Sequence, residues 1–292
     1  MRGLYDPMQI LTKMDPWVVD LLVDPIGKTP LARDGNEMIS GYGRRYAFRS
    51  GVLDLRPFQF RRLSVQGITW VEGQRYYERW QGALSAQRHL SYCAELDSVR
   101  EVYAAMPVVG RCLDVGGHQG RLRAFLDADQ QYLIIDPFLE VFHGIEQQQG
   151  LLETYPFLSI PVNFICAMAE HLPVRESSFD TVHMRSVLDH FESPELAMME
   201  AYRVLRAGGQ LMIGLWVEGG RTGKQSLAEL AKETIKAFLP LIGLKRFADH
   251  HVWHPRYTEL IELIKNAGFE VAQVHWQSQW HDHVCYVRAI KC

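Results

Sequence analysis

The chain lacks any run approaching the roughly 20 apolar residues that a membrane-spanning helix needs, although 47% of its 292 residues are hydrophobic. That apolar content is expected to fill cores, with no membrane span. The opening residues, MRGLYDPMQILTKMDP, interrupt apolar positions with charges and prolines and so lack the continuous centre of a secretory leader. Cysteine is scarce. Cys93, Cys112, Cys166, Cys285 and Cys292 are scattered, odd in number and free of any CxxC pair. This excludes a disulfide framework or a thiolate zinc site as the organising device, and implies reduced thiols in a cytoplasmic setting. An excess of positive charge is also missing: the formal net charge is −3 and the isoelectric point is near 6.5. A dedicated nucleic-acid binder normally carries a basic footprint. Here only a local cluster (Arg44, Arg45, Arg49, Arg56, Arg61 and Arg62) could supply one. There is no internal repeat and no low-complexity tract.

What is present reads as one large unit preceded by a small one. Residues 1–60 alternate short apolar runs with Gly, Pro and Arg, a pattern of strands and turns. From about Gln74 to Ala105 the pattern is helical, with Tyr76, Tyr77 and Trp80 spaced to share a face, and Pro107 and Gly110 break it. We read 61–109 as a helical linker or lid. After Gly110, strands and helices alternate: RCLDVGG, QYLIIDP, FDTVHMR, the helical PELAMMEAYRVLRAGG, and GQLMIGLW. The helix is expected to place Leu196, Met199, Tyr202 and Leu205 near one face and to cap on Gly208–Gly209. A final helix, TELIELIKNAGF, leads to EVAQVHWQ and HVCYVRAIK, which no helix separates. Apolar strands alternating with helices signal a parallel sheet covered on both faces. The expectation is an α/β, doubly wound, Rossmann-like sheet over 110–292, with an antiparallel edge strand, an insertion at about 218–255, and a β-rich N-terminal piece.

The central motif is Leu113-Asp114-Val115-Gly116-Gly117-His118-Gln119-Gly120, a strand running into glycines and then a helix, which brings backbone close to a ligand. Its glycine spacing does not fit the G-x-G-x-x-G of dinucleotide sites. Asp114 lies inside the motif, and Asp136 ends the next strand before Pro137, where a carboxylate can accept both hydroxyls of a ribose. The first acid would repel a pyrophosphate but attract the ammonium and sulfonium of S-adenosylmethionine (SAM). Charge therefore favours SAM.

Downstream come AEHLPVRESSFD (169–180), VLDHF (187–191) and EAYRVLRAGG (200–209). Together with LDVGGHQG, in this order, they resemble the class I SAM-dependent methyltransferases typified by the ubiquinone/menaquinone-pathway enzymes. The resemblance implies that Gly116, Gly117, His118 and Gly120 wrap the methionine portion and that Asp136 and Pro137 hold the ribose. It further implies that Met168 and Ala169 flank the adenine and that Arg185 lies beside the cofactor. Two positions depart from the family pattern. His118 replaces a central glycine, at a cost of about 1–2 kcal/mol if the backbone there is left-handed. Met168 replaces the acid that often meets the adenine amino group. Residues 17–57 resemble the small Trm112-type zinc-ribbon-like domain, with Asp24-Pro25-Ile26-Gly27 and the region Ile39–Gly43 where that family has cysteine pairs. The ligands are missing, so a metal-free ribbon is expected, held by Leu21, Leu22, Leu31, Tyr46, Phe48, Val52, Leu53 and Leu55. It could serve as a contact to a protein partner or a second copy.

Ligands of such sheets sit beyond the carboxyl ends of the strands. On the acceptor side this points to Arg185, Ser186, Asp189 and His190, and to Trp216, Val217 and Glu218. His190 is the first candidate base, since imidazole titrates near neutrality, with Asp189 beside it. A helix-packing role for His190 is the plain alternative. His250, His251 and His254, or His281 with His283, have no cysteine partners, and no metal is expected there. Trp253, Trp276 and Trp280 could line a pocket or simply pack. The leading expectation is methyl transfer to a small-molecule acceptor, at an oxygen of a biosynthetic intermediate or sugar-containing metabolite. An RNA methyltransferase and a catalytically silent SAM-binding scaffold are the alternatives.

Overall fold

A computed structural model describes residues 11–57, 64–65, 68–69, 88–223, 251–280 and 282–292. The readings at Arg61, Arg62, Tyr76, Tyr77, Trp80, His250 and His281, and most of the 61–109 and 218–255 segments, lie outside these residues. In chain order the strands are β1 (Thr12–Lys13), β2 (Leu31–Asp34), β3 (Glu37–Ser40), β4 (Arg45–Arg49), β5 (Val52–Asp54), β6 (Ser64–Val65), β7 (Ile68–Thr69), β8 (Cys112–Val115), β9 (Tyr132–Asp136), β10 (Val162–Cys166), β11 (Phe179–Arg185), β12 (Leu205–Trp216), β13 (Phe269–Gln277) and β14 (Val284–Lys291). Apart from the small β6–β7 hairpin they form one 12-stranded sheet, ordered β13-β14-β12-β11-β8-β9-β10-β5-β4-β3-β2, with β1 also paired to β10. Strands β12, β11, β8, β9 and β10 run parallel, and β14 and β13 add the antiparallel edge. The fold is α/β and doubly wound.

The central strands β8, β9 and β10 are buried on both faces because helices cover both. Along β9, Leu133 and Ile135 enter one core cluster while Tyr132 and Ile134 enter the other, the two-residue alternation of a pleated strand. Helices Pro194–Val204 and Tyr257–Asn266 cover the first face through Ala197, Met198, Ala201, Leu260 and Ile264. Helix Arg88–Ala105 covers the second through Tyr92, Val99, Val102 and Tyr103.

Three expectations are corrected. Helix Pro194–Val204 buries its small face, while Leu196 (45% exposed) and Met199 (61% exposed) point to solvent. Alanines 197 and 201 let the helix lie close on the sheet, and Leu205, beyond the helix and buried, does not share the face of Leu196 and Met199. The helix also ends at Val204, with Leu205 already extended, so Gly208–Gly209 is not its cap. After the glycine motif there is only a 3₁₀ turn, Arg121–Phe125, where a full helix was expected.

The N-terminal piece is an antiparallel meander, β2 to β5, whose last strand pairs parallel with β10 (Leu53 with Ile165, Asp54 with Cys166). It extends the large sheet and shares its core through Leu22, Met38, Tyr46, Leu53 and Leu55. Asp24 opens the turn that leads to β2. Its side chain is fully buried and accepts hydrogen bonds from Ile26 N (2.9 Å), Gly27 N (2.6 Å) and the Tyr46 hydroxyl (2.9 Å). Burial alone would raise its pKa. The donors, led by Gly27 and Tyr46, outweigh that and hold it below the ordinary carboxylate value. A hydrogen-bonded carboxylate organises this turn.

Candidate functional site

The carboxyl ends of β8, β9, β10 and β11 open onto a cavity of about 390 Å³, within the range of small-ligand and cofactor sites. Each strand delivers its residues through the loop that follows it. Gly116 takes φ +69°, and a Cβ there would come within 2.6 Å of Val187. A Cβ on Gly117 would strike the Asp114 carboxylate. The loop can approach a ligand closely only with glycine at both places.

His118 follows with φ +48°, so the left-handed conformation anticipated for a glycine is imposed on a histidine. Its amide donates to Asp136 Oδ2 (3.1 Å) and the Phe138 amide to Asp136 Oδ1 (3.0 Å), which fixes the acid at the end of β9. Burial, and secondarily Arg121, pushes the His118 pKa down to about 3. The imidazole is therefore neutral at pH 7 and adds no positive charge to the cavity.

Asp114, Gly116, Gly117, His118, Asp136, Pro137, Met168, Ala169, Arg185 and His190 all line this one cavity. Gly120 and Asp189 stand behind the wall, with Gly120 (φ +79°) opening the 3₁₀ turn. Ser186 also lines it, whereas Trp216, Val217 and Glu218 do not. Trp216 is instead stacked on His283, and Trp253 and Trp276 pack against the core.

Several wall residues were not anticipated. Asp114 accepts hydrogen bonds from Tyr132 and from His183 Nδ1 (2.7 Å), and the other ring nitrogen of His183 meets the Tyr103 hydroxyl at 2.8 Å. With Asp114 ionised, the proton sits on Nδ1 and Tyr103 donates to Nε2. Glu95, from helix Arg88–Ala105, bridges Arg121 (2.9 Å) and Arg185 (3.1 Å). Burial works against the charge on Arg185, but Tyr286, Tyr103 and Glu95 more than offset it and raise its pKa. Glu170 accepts from Glu192 N (2.8 Å) through Oε1, while its buried Oε2 has no hydrogen-bond partner among the described residues. Burial pushes the Glu170 pKa up.

The charges on this wall decide between ligand classes. Among the described residues, Glu95, Asp114, Asp136, Glu170 and Glu192 face only Arg121 and Arg185. An anionic pyrophosphate would be repelled, whereas a ligand with two cationic centres and one carboxylate would be matched. The cradle at Gly116–Gly117, the fixed Asp136 and the unsatisfied Glu170 oxygen suit SAM.

Residues 113–213 match the methyltransferase domain family. The chain carries a class I SAM-dependent methyltransferase domain. A ubiquinone/menaquinone biosynthesis C-methyltransferase of Haemophilus ducreyi is 28% identical over 118 residues, 37% of this chain and 44% of that protein. A tRNA U34 carboxymethyltransferase of Cellvibrio japonicus is 31% identical over 216 residues, 72% of this chain and 57% of that protein. The chain thus spans about half the length of these curated relatives. Its fold is also that of a magnesium protoporphyrin IX methyltransferase from Synechocystis PCC 6803 with bound S-adenosylhomocysteine, at TM-score 0.50 and 16% identity, covering 75% of this chain and 94% of that one. No helix among the described residues is long and apolar enough to cross a membrane.

Proposed function

We propose that the protein transfers the methyl group of SAM to an oxygen of a small-molecule acceptor bound beside the His190 wall of the cavity. The observation that carries this reading is the acid-rich cavity at the carboxyl edge of the sheet, with two guanidiniums grouped at one place on its wall. SAM supplies a methyl group on a sulfonium, already activated for in-line displacement. The protein's task is alignment. Asp136 accepts from the ribose hydroxyls, and Met168 and Ala169 flank the adenine. Glu170 Oε2 accepts from the adenine amino group, a role the Met168 replacement had left open. Arg121 and Arg185 hold the methionine carboxylate, with Glu95 keeping both in place. The Tyr103 hydroxyl, already donating to His183, keeps lone pairs to accept from the ammonium.

His190, with Asp189 behind it, stands against the acceptor hydroxyl. As the acceptor oxygen bonds to the methyl carbon, the carbon–sulfur bond breaks and its electron pair stays on sulfur. The acceptor's proton passes to solvent.

Similarity to a tRNA-modifying enzyme favours a second reading, a tRNA acceptor. Against it, the four arginines of the N-terminal cluster among the described residues are paired: Arg44 with Asp24, Arg45 with Asp34 and Glu37, and Arg49 and Arg56 with Asp54. Incubating the protein with methyl-labelled SAM and fractionated cell extract tests both. Label in the low-mass fraction supports the proposal, and label in RNA supports the second reading. SAM binding without transfer to any fraction would leave the silent scaffold.

A further inference from the structure

Asp189, His190 and His251 come together from two places in the chain. Asp189 and His190 lie in the 3₁₀ turn Leu188–His190, which follows β11 and is anchored by the buried Leu188. His251 comes from the far side of the long segment after β12. The two places are joined by main chain: Val252 N (2.7 Å) and Trp253 N (3.2 Å) both donate to the Asp189 carbonyl. One potential ligand atom from each of the three side chains lies within 4.8 Å of the others. Asp189 Oδ2 is 3.5 Å from His251 Nε2, and the His190 and His251 rings are 4.5 Å apart. Asp189 is buried, with its side chain 12% exposed, and its Oδ1 has no hydrogen-bond partner among the described residues. A buried carboxylate oxygen left unsatisfied beside two imidazoles suits a cation.

We propose that Asp189, His190 and His251 bind one divalent transition-metal ion of the zinc class at the wall of the cofactor cavity. Ligand atoms about 2.0 Å from a tetrahedral ion are about 3.3 Å apart. Each side chain therefore has to close by less than about an ångström. Two imidazoles and a carboxylate favour zinc-like ions over magnesium or calcium, which take oxygen donors. Three protein ligands also leave a coordination position open, the pattern of a reactive rather than a structural site. Since His190 is a cavity wall residue, that position is available to the acceptor. The inference thus rests on the reading that the acceptor docks here, and it narrows the acceptor to one offering an oxygen able to bind a metal. On the ion, that hydroxyl would lose its proton to solvent before its oxygen attacks the methyl carbon.

The test uses untagged, chelator-treated protein titrated with Co²⁺ in the absence of SAM, read by visible absorption and calorimetry. The expected result is one Co²⁺ per chain, with ligand-field bands displaced by Zn²⁺ but not by Mg²⁺. His251→Ala and His190→Ala should each weaken binding more than about tenfold, while His254→Ala, beside the cluster, keeps the stoichiometry. His251 is 30% exposed at its side chain, so its truncation is compatible with folding, and circular dichroism checks this. No Co²⁺ binding, or binding unchanged in both variants, overturns the metal site. Methyl transfer that persists after chelation would then leave the methyltransferase reading intact. Co²⁺ binding without SAM binding would instead overturn that reading alone.

Discussion

His118→Gly tests the account of the cofactor loop, because two separate effects of the histidine respond differently to pH. The first is conformational. His118 has φ +48°, which costs a side-chain-bearing residue about 1–2 kcal/mol relative to glycine. Glycine returns roughly 0.5–1 kcal/mol of that through the greater freedom of the unfolded chain. At pH 7 the variant should therefore be more stable by about 0.5–1 kcal/mol, a rise of about 1–4 °C in Tm. The second effect is protonic. The imidazole titrates near 3 in the folded chain against 6.5 unfolded. Between these values the unfolded state holds a proton that the folded state refuses, so stability is complete above pH 6.5 and falls as pH drops toward 3. At pH 5 the full penalty is about 2 kcal/mol. His118 is only partly buried, and solvent screening reduces this to about 1–2 kcal/mol. Glycine carries no such penalty, so the variant's advantage should widen to about 2 kcal/mol or more at pH 5. Urea unfolding at both pH values measures it. An equal advantage at pH 5 and pH 7 would show that the imidazole is not held neutral, and a loss of stability at pH 7 would refute the strain argument.

Three further outcomes follow from the same geometry. Asp24→Ala leaves the Tyr46 hydroxyl and two turn amides without their buried acceptor, and should cost about 2–4 kcal/mol in urea unfolding. A change within about 0.5 kcal/mol would remove Asp24 as the turn's organiser. Gly117→Ala drives a methyl group into the Asp114 carboxylate, so SAM affinity should fall by at least about tenfold while Asn36→Ala, far from the cavity, leaves it unchanged. His190→Ala should lower kcat at saturating acceptor by about 10²–10⁴, and an unchanged kcat would return His190 to a packing role.

How much of this was legible in the sequence depended on the range of the signal. Strands β8, β9, β11 and β12 end in residues whose chemistry is local, such as the glycines after Val115 or the acid closing YLIID, and these could be read directly. Strand β10 could not. Its VNFIC carries a buried Asn163, satisfied by Asp15 and by the Tyr132 carbonyl, partners remote in sequence. The same holds for the cavity wall, where Glu95 meets arginines 26 and 90 residues away and His183 joins Tyr103 to Asp114. No spacing rule announces such pairs, because only the folded sheet brings them together. The cluster at His251 was passed over for a related reason. Its histidines stand in a run with each other in ADHHVWHP, while the acid that completes them lies after a different strand.

The most direct test of the central claim is calorimetric titration of SAM into the wild-type protein and Asp136→Ala. The account predicts a single site in the wild type, and an affinity weaker by one to two decades in the variant, the equivalent of about 1.5–3 kcal/mol for a lost charge-assisted hydrogen bond. No binding by the wild type, or equal affinity in both proteins, would contradict it.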